Sequence, residues 1–254
     1  MSQRRPKRRR SRGRFPILYK VLSAALILAA VVGACVVFFR VEEVTISGNV
    51  NYSAEEIRAV SGVKQGENLF LISGYKVRRD LLKKLPYIDQ VSVKRQLPDT
   101  LAISVVETQG VGMVQGPDGW WLLNSSGKLV ERCATKPAGD RFTITGIEPL
   151  APGEGTYLAV VTEARSKLDS LLALMRAMEG EKLLEKTNSI DLSDGYQITI
   201  RYDGRFTLKL PATEDFAYRM RFFREGLESG RVPETGNFTV DMSLEGQTRF
   251  IPAE

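Results

Sequence analysis

Two stretches of the chain place a serine three residues before a lysine, a spacing at which the lysine amine can activate the serine hydroxyl. Residues 73–76 and 125–128 both read Ser-x-x-Lys, and the corresponding chemistry would be acyl transfer through a serine nucleophile. Ser193-Asp-Gly and Lys186-Thr partly match the other two motifs of such enzymes, but the Lys-Thr motif should come last along the chain and here it precedes the Ser-Asp-Gly motif. Because Ser-x-x-Lys arises often by chance, we predict that the protein is not an enzyme.

The remaining chemistry-bearing residue types are scarce. The chain has no histidine, which removes the usual general base near neutral pH and the commonest zinc ligand. It has no glycine-rich phosphate loop, and its carboxylates show no metal-ligand spacing. We therefore predict no catalytic residue, metal site, cofactor or small-molecule substrate.

The N-terminal forty residues are typical of a membrane anchor. Residues 1–14 hold eight lysines or arginines and no acid, and residues 21–39 hold no charge. A helix rises about 1.5 Å per residue, so about 20 apolar residues cross the hydrocarbon core. Because positive charge stays on the cytoplasmic side, we predict a cytoplasmic tail at 1–16, a transmembrane helix at 17–39 and an external remainder.

Two other kinds of N-terminal segment fit less well. A cleaved signal peptide would end in small residues, whereas this run ends in Val-Val-Phe-Phe. A lipoprotein signal would turn polar after its cysteine, but Cys35 is followed by further apolar residues. We therefore expect the anchor to remain uncleaved.

The high overall charge belongs to the tail. Nine of the 36 basic residues precede the uncharged run, which leaves 27 basic residues against all 30 acidic ones, a formal charge near −3. The tail lacks aromatic residues before Phe15, so we expect it to orient the anchor and not to bind nucleic acid. Cys35 and Cys133 lie in the anchor and in the external part, so the external fold has to rely on its apolar core.

The external part begins with the element order β-α-α-β-β. An alternating strand at 41–47 ends in a Gly-Asn turn, and Ser53 with Glu56 forms a capping box for a helix. A second helix is stopped by Pro86. Two further strands follow, joined at Pro98-Asp99.

This block resembles a POTRA domain of the FtsQ/DivIB family. The resemblance is carried by Val-Thr-Ile-Ser-Gly-Asn from Val44, Gly-Glu-Asn-Leu-Phe from Gly66, Leu-Pro-Tyr-Ile-Asp-Gln-Val from Leu85 and Leu-Pro-Asp-Thr-Leu from Leu97. A POTRA domain directly after a single N-terminal membrane helix is the layout of that family. We expect the pair at residues 69–70, Leu-Phe, to fill the domain's core.

The rest of the chain resembles the second domain of the same family. Trp-x-Leu-Asn-x-x-Gly-x-Leu predicts a hairpin turning at 124–127, preceded by a glycine-rich domain boundary. A strand near 142–146, one helix over 162–186 and a β-meander follow. The last predicted elements are a helix from Thr213 and a strand over 237–244. The predicted fold class is α+β: a transmembrane helix, a POTRA domain over 41–108, and a mixed α/β domain with an antiparallel sheet over 109–254.

The resemblance implies a non-catalytic scaffold of the divisome, located at the septum. The implied partners are FtsL-like and FtsB/DivIC-like bitopic coiled-coil proteins and, through them, the septal peptidoglycan synthase complex. The alternative is a POTRA-containing polypeptide transport or assembly factor. Such proteins carry repeated POTRA units before a membrane barrel of alternating strands, whereas one unit is found here.

We expect the partner site on the last long strand, because an edge strand offers unpaired N–H and C=O groups to a partner's strand. The opposing possibility is that the segment 249–251 covers this strand, and the sequence leaves both open. The candidate partner-binding residues are Phe238, Thr239, Val240, Asp241, Met242, Ser243, Leu244, Arg249 and Phe250.

Overall fold

The computed structural model shows an N-terminal helix followed by two α+β domains. The part of the chain that it describes consists of residues 15–136, 141–213, 215–229, 235–242 and 249–252. The helix α1 (Phe15–Phe38) is continuous, and its stretch Leu18–Phe38 has a mean hydropathy of 2.8 with no part buried. Its length and composition suffice to cross a membrane.

The first domain is a three-stranded sheet with two helices. Its elements are β1 (Glu43–Ser47), α2 (Ala54–Ser61), α3 (Gly74–Lys84), β2 (Ile88–Gln96) and β3 (Thr100–Glu107). The central strand is β3, with β1 parallel on one side and β2 antiparallel on the other. The predicted β-α-α-β-β order is therefore confirmed.

Local sequence signals explain how these elements begin and turn. The backbone N–H of Glu56 donates to the Ser53 hydroxyl at 3.2 Å, and the Ser53 N–H donates to the Glu56 carboxylate at 2.8 Å, which is the predicted capping box. At Gly48, φ is +83°, and a Cβ would lie 2.0 Å from the Val105 carbonyl oxygen. Only glycine fits this turn.

The expectation for the Leu-Phe pair is half wrong. Leu69 is fully buried in the core of the first domain, but Phe70 is 53% exposed. The Asn68 side chain accepts a hydrogen bond from the Phe70 N–H, and the Asn68 carbonyl accepts one from the Leu71 N–H. This tight turn directs consecutive side chains to opposite sides.

The second domain is built on a nine-stranded sheet, as far as the described residues go. The strand order is β12-β11-β10-β9-β8-β7-β4-β5-β6. The strands are β4 (Gly112–Gly116), β5 (Gly119–Leu123), β6 (Leu129–Cys133), β7 (Phe142–Thr145), β8 (Thr187–Asp191), β9 (Gln197–Tyr202), β10 (Phe206–Pro211), β11 (Phe238–Asp241) and β12 (Arg249–Pro252). The β4–β7, β7–β8 and β10–β11 pairs are parallel and the others antiparallel.

Two helices, α4 (Arg165–Gly180) and α5 (Phe216–Glu228), bury their apolar stripes against this sheet. Met175 of α4 and Phe223 of α5 are fully buried in one cluster with Ile200 of β9. The apolar stripes of both helices therefore belong to the core, as is usual for apolar side chains at three- and four-residue spacing.

Three element predictions are wrong in detail. The helix expected over 162–186 ends at Gly180, because the backbone turns at Lys182, where φ is +57°, and brings Leu183 into the core. The glycine-rich boundary contains the strand β4, in which a Cβ on Gly112 would lie 2.5 Å from the adjacent phenylalanine ring of β7. The last helix starts at Phe216 behind an aspartate cap, three residues later than expected.

Candidate functional site

The strand expected at the sheet edge is an interior strand. On one side β11 pairs with β10 in parallel, and on the other it pairs antiparallel with β12, with Val240 opposite Phe250. The expectation that residues 238–242 form a free edge is therefore wrong, and the alternative that the 249–251 segment covers them is confirmed. This strand lies inside the sheet because its apolar side chains, Phe238, Val240 and Met242, are buried in the core. Ser243 and Leu244 lie outside the described residues.

The end of the sheet falls on β12 instead. Among the described strands, β12 pairs with β11 alone. Phe250 packs partly buried against the core, whereas Ile251 is 47% exposed. Alternate residues of a strand point their N–H and C=O groups to opposite sides, and no described strand pairs with the second side of β12. The sequence prediction missed Ile251, although its position in the apolar pair Phe250-Ile251 was a visible signal.

Two contacts from α5 hold this end of the sheet in place. Arg219 is 7% exposed and donates a hydrogen bond to the Met242 carbonyl at the end of β11. The Phe250 ring lies over Gly226, where an added Cβ would be 3.2 Å from the ring. Of the remaining candidates, Thr239 and Asp241 are half-buried on the opposite face of β11, and Arg249 is exposed on β12 opposite Asp241.

The opposite edge of the sheet is covered where β6 begins. The Leu129 N–H donates to the Thr156 carbonyl, and the Gly155 N–H donates to the Leu129 carbonyl, both at 2.8 Å. Lys128 forms an isolated β-bridge with Tyr157. A partner strand has better access to β12 than to this part of β6.

The two domains are joined by a buried lysine. Lys128 is 2% exposed, and its Nζ donates to the carbonyls of Leu82 at 3.0 Å and Ile88 at 2.7 Å, both in the first domain. Burial lowers the pKa of Lys128, and the nearby Asp89 carboxylate opposes that shift.

A tyrosine reinforces this junction at its rim. The Tyr87 hydroxyl donates to the Glu131 carboxylate of β6 at 2.6 Å. Burial raises the pKa of Tyr87, and the hydrogen bond to Glu131 raises it further. The two domains therefore make direct polar contacts through side chains that favour one relative placement.

The serines of both serine–lysine pairs, and the amine of Lys128, make other hydrogen bonds. The Ser73 hydroxyl caps α3 by accepting the Lys76 backbone N–H at 3.3 Å. The Ser125 hydroxyl donates to Glu179 at 2.6 Å, while the Lys128 amine is held by the two carbonyls of the first domain. A nucleophile needs its base within hydrogen-bonding reach. Within the described ranges, no group of three or more His, Cys, Asp or Glu residues could hold a metal ion.

Comparisons with known proteins agree with this architecture. The model of the FtsQ-type POTRA domain matches residues 39–108, and that of the FtsQ/DivIB C-terminal region matches residues 112–243. The cell division protein DivIB of Clostridium botulinum is 23% identical over 84% of this chain and 82% of its own. The cell division protein FtsQ of Corynebacterium glutamicum is 22% identical over 73% of this chain and 79% of its own. The cell division protein DivIB of Geobacillus kaustophilus is 26% identical over 65% of this chain and 64% of its own.

Proposed function

Since the chain belongs to the FtsQ/DivIB family of cell-division proteins, we propose that it is a non-catalytic, single-pass scaffold of the divisome at the septum. Its basic tail lies in the cytoplasm and both folded domains lie outside. It binds FtsL-like and FtsB/DivIC-like bitopic coiled-coil proteins and through them influences septal peptidoglycan synthesis. The basic segment at residues 1–14, followed by the uncharged run at 21–39, supports this orientation.

The observation that carries the proposal is the end of the large sheet at β12. A partner segment in extended conformation adds to this edge through main-chain hydrogen bonds. The half-exposed Ile251 contributes an apolar contact on the added strand. Phe250, packed over Gly226, keeps β12 in register while the partner binds.

The domain junction supports the same function by fixing where this edge lies. In the strand order, β12 and β6 stand at opposite ends, eight strand spacings apart. Neighbouring strands lie about 4.8 Å apart, so the two ends are about 38 Å apart along the sheet. Lys128 ties the β6 end to the POTRA domain, so partners bind at the end far from this junction.

The test uses a pair of proline substitutions in β12. Proline removes a backbone N–H, and the N–H groups of residues 250 and 251 point to opposite sides of the strand. The backbone N–H groups of Phe238 and Met242 donate to β10. Thr239 and Ile251 therefore form a hydrogen-bonded pair, and the Phe250 N–H points to the open side. Phe250→Pro therefore removes the open-side donor, and Ile251→Pro removes a donor from the β11–β12 pairing. Phe250→Ala is the matched control, because it removes the ring and keeps the N–H group. Each full-length variant is used to recover bitopic coiled-coil proteins from membranes, with thermal unfolding recorded in parallel.

We expect Phe250→Pro to lose those partners while it unfolds close to the midpoint of Phe250→Ala, which retains most of the binding. Recovery of the same partners by both proline variants would show that β12 is not the binding edge. Recovery of no division protein by the wild type would contradict the scaffold role itself.

A further inference from the structure

The loop between α2 and α3 is attached directly to the end of α1. The Asn68 side-chain amide donates to the carbonyl oxygens of Cys35 and Val36, both at 3.3 Å. The Leu69 N–H donates to the Phe39 carbonyl at 2.9 Å. The last carbonyls of a helix have few partners of their own, so this loop caps α1.

The same loop is held rigid from the side of the POTRA domain. The Arg95 guanidinium donates to the Leu69 carbonyl at 2.7 Å and to the Ile72 carbonyl at 2.8 Å. Leu69 and Ile72 are both buried. Asn68 fixes the turn between them by accepting the Phe70 N–H at 2.9 Å. The positions of the two intervening side chains are therefore set by the fold.

Those two side chains are large, apolar and exposed. Phe70 is 53% exposed and Leu71 is 81% exposed. The Phe70 ring meets the Phe39 ring edge-on with centroids 5.2 Å apart. Leu97, in the neighbouring β2–β3 turn, is 57% exposed, and the next two residues of that turn line a cleft together with the end of α1. Apolar side chains thus continue from α1 onto the α2–α3 loop, and the neighbouring cleft is also lined by the acidic residues Glu42 and Asp99.

The depth of this surface follows from the length of α1. The stretch Leu18–Phe38 has 21 residues, with Lys20 near its N-terminal end as the one charged side chain. It forms about 31 Å of helix, which matches the thickness of the hydrocarbon core, about 30 Å, and a lysine at the end of such a helix extends its amine to the interface. Phe38 then lies at the boundary of the core, and Cys35 lies about 4–5 Å below it. A loop whose Asn68 side chain reaches the Cys35 carbonyl has to lie within the headgroup layer.

We propose that Phe70 and Leu71 enter the interfacial layer of the bilayer that α1 crosses, so that the POTRA domain is seated on lipid. The proposal rests on the membrane span of the proposed function. Phenylalanine and leucine are among the side chains that interfacial segments bury at the boundary between headgroups and acyl chains. Arg40, which is exposed and forms a β-bridge with Asn68, is placed to extend its long side chain toward lipid phosphates.

The experiment places one fluorescent probe at Leu71 in the full-length protein. In a Cys35→Ser, Cys133→Ser background, Leu71→Cys is labelled with an environment-sensitive dye and the protein is incorporated into vesicles of phosphatidylcholine and phosphatidylglycerol. The matched control is Val50→Cys, because Val50 is 84% exposed and follows the far end of β1, a strand of five residues that is about 16 Å long. Nitroxide-bearing lipids and aqueous iodide serve as the two quenchers, and flotation reports incorporation.

We expect the Leu71 probe to show blue-shifted emission, strong quenching by nitroxide lipid and protection from iodide, with the reverse pattern at Val50. Equal iodide quenching at both positions in floated vesicles would overturn the lipid contact and leave the membrane span intact. Protection of Leu71 that appears only after a bitopic protein is added would also overturn it, because the surface would then bind protein. Failure to float would overturn the span and this inference together.

Discussion

The buried amine of Lys128 donates two hydrogen bonds from the second domain to the first, and its removal should uncouple the two domains. Its acceptors lie where regular bonding is interrupted, because the Leu82 carbonyl belongs to the last turn of α3 and the Ile88 carbonyl lies at an irregularity of β2. In Lys128→Met the aliphatic stem keeps a similar length, but both buried carbonyls lose their donor. The substitution therefore isolates the hydrogen bonds from the packing.

The expected cost follows from the two bonds. A hydrogen bond to a charged group contributes about 1.5–3 kcal/mol net, so two contribute about 3–6 kcal/mol. The lower end, about 3 kcal/mol, is expected, because the variant no longer has to desolvate an ammonium group. Lys167→Met is the matched control: the Lys167 amine donates to one carbonyl, that of Ser193, at an exposed site. Its loss should change the free energy of unfolding by less than about 0.5 kcal/mol.

Unfolding in urea can follow each domain. Both tryptophans, Trp120 and Trp121, lie in the second domain, so their fluorescence reports that domain, while circular dichroism reports both. We expect coincident transitions for the wild type and for Lys167→Met, and separated transitions for Lys128→Met at lower urea. If Lys128→Met unfolds with the midpoint and coincidence of Lys167→Met, the reasoning about the junction is refuted.

The pH dependence of this difference has a definite sign. Burial lowers the pKa of Lys128 in the folded state below its usual 10.5, so the unfolded chain binds this proton more tightly. Stability rises with pH wherever the unfolded state binds more protons. The wild type should therefore gain stability relative to Lys128→Met as the pH rises from the folded pKa toward 10.5, measured as the difference between their urea midpoints.

Three further substitutions test other parts of the fold. Burial alone would raise the pKa of Glu107, but hydrogen bonds from the backbone N–H groups of residues 50–52 outweigh burial and lower the pKa. The stabilisation that these bonds give the fold is present above about pH 4.3 and is lost as the pH falls through the folded pKa. In Glu107→Gln, the free energy of unfolding measured in urea should therefore fall less steeply toward acid pH. Gly226→Ile should crowd the phenylalanine of β12, lower the free energy of unfolding by about 1–3 kcal/mol and speed hydrogen exchange in β12. Gly180→Ile is the control, because a Cβ there would have nothing within 4 Å. Gly48→Ala should cost more than about 3 kcal/mol in thermal unfolding, because its Cβ meets a carbonyl oxygen, whereas Gly62→Ala should cost only the left-handed strain of about 1–2 kcal/mol.

Features with local causes were predictable from the sequence. The capping box of Ser53 and Glu56, the end of α3 before Pro86 and the hairpin turn after Asn124 depend on residues within a few positions of each other. These signals also appear in the expected order, so the fold class and the POTRA domain could be predicted. Leu69 was placed correctly because its burial follows from the same pattern.

Features that depend on distant partners were not predictable. The strand β4 consists largely of small residues, and Gly112 fits there because the ring of Phe142 occupies the space of a side chain. The sequence predicted the sheet edge at the strand of Val240, whereas the structure has it at the strand of Ile251. The reason is that pairing between β11 and β12 depends on burial of both strands and cannot be read from either segment alone. Lys128 was noticed as a possible base, but its true acceptors lie 40 and 46 residues away.

The most direct test of the central claim is photo-crosslinking in dividing cells. A photoreactive amino acid replaces Ile251 on β12 in one strain and Tyr196, which is 90% exposed in the β8–β9 turn, in another. If β12 is the partner-binding edge, the Ile251 position yields an adduct with a small bitopic coiled-coil protein and the Tyr196 position does not. An adduct with such a protein at Tyr196 and none at Ile251 would contradict the account.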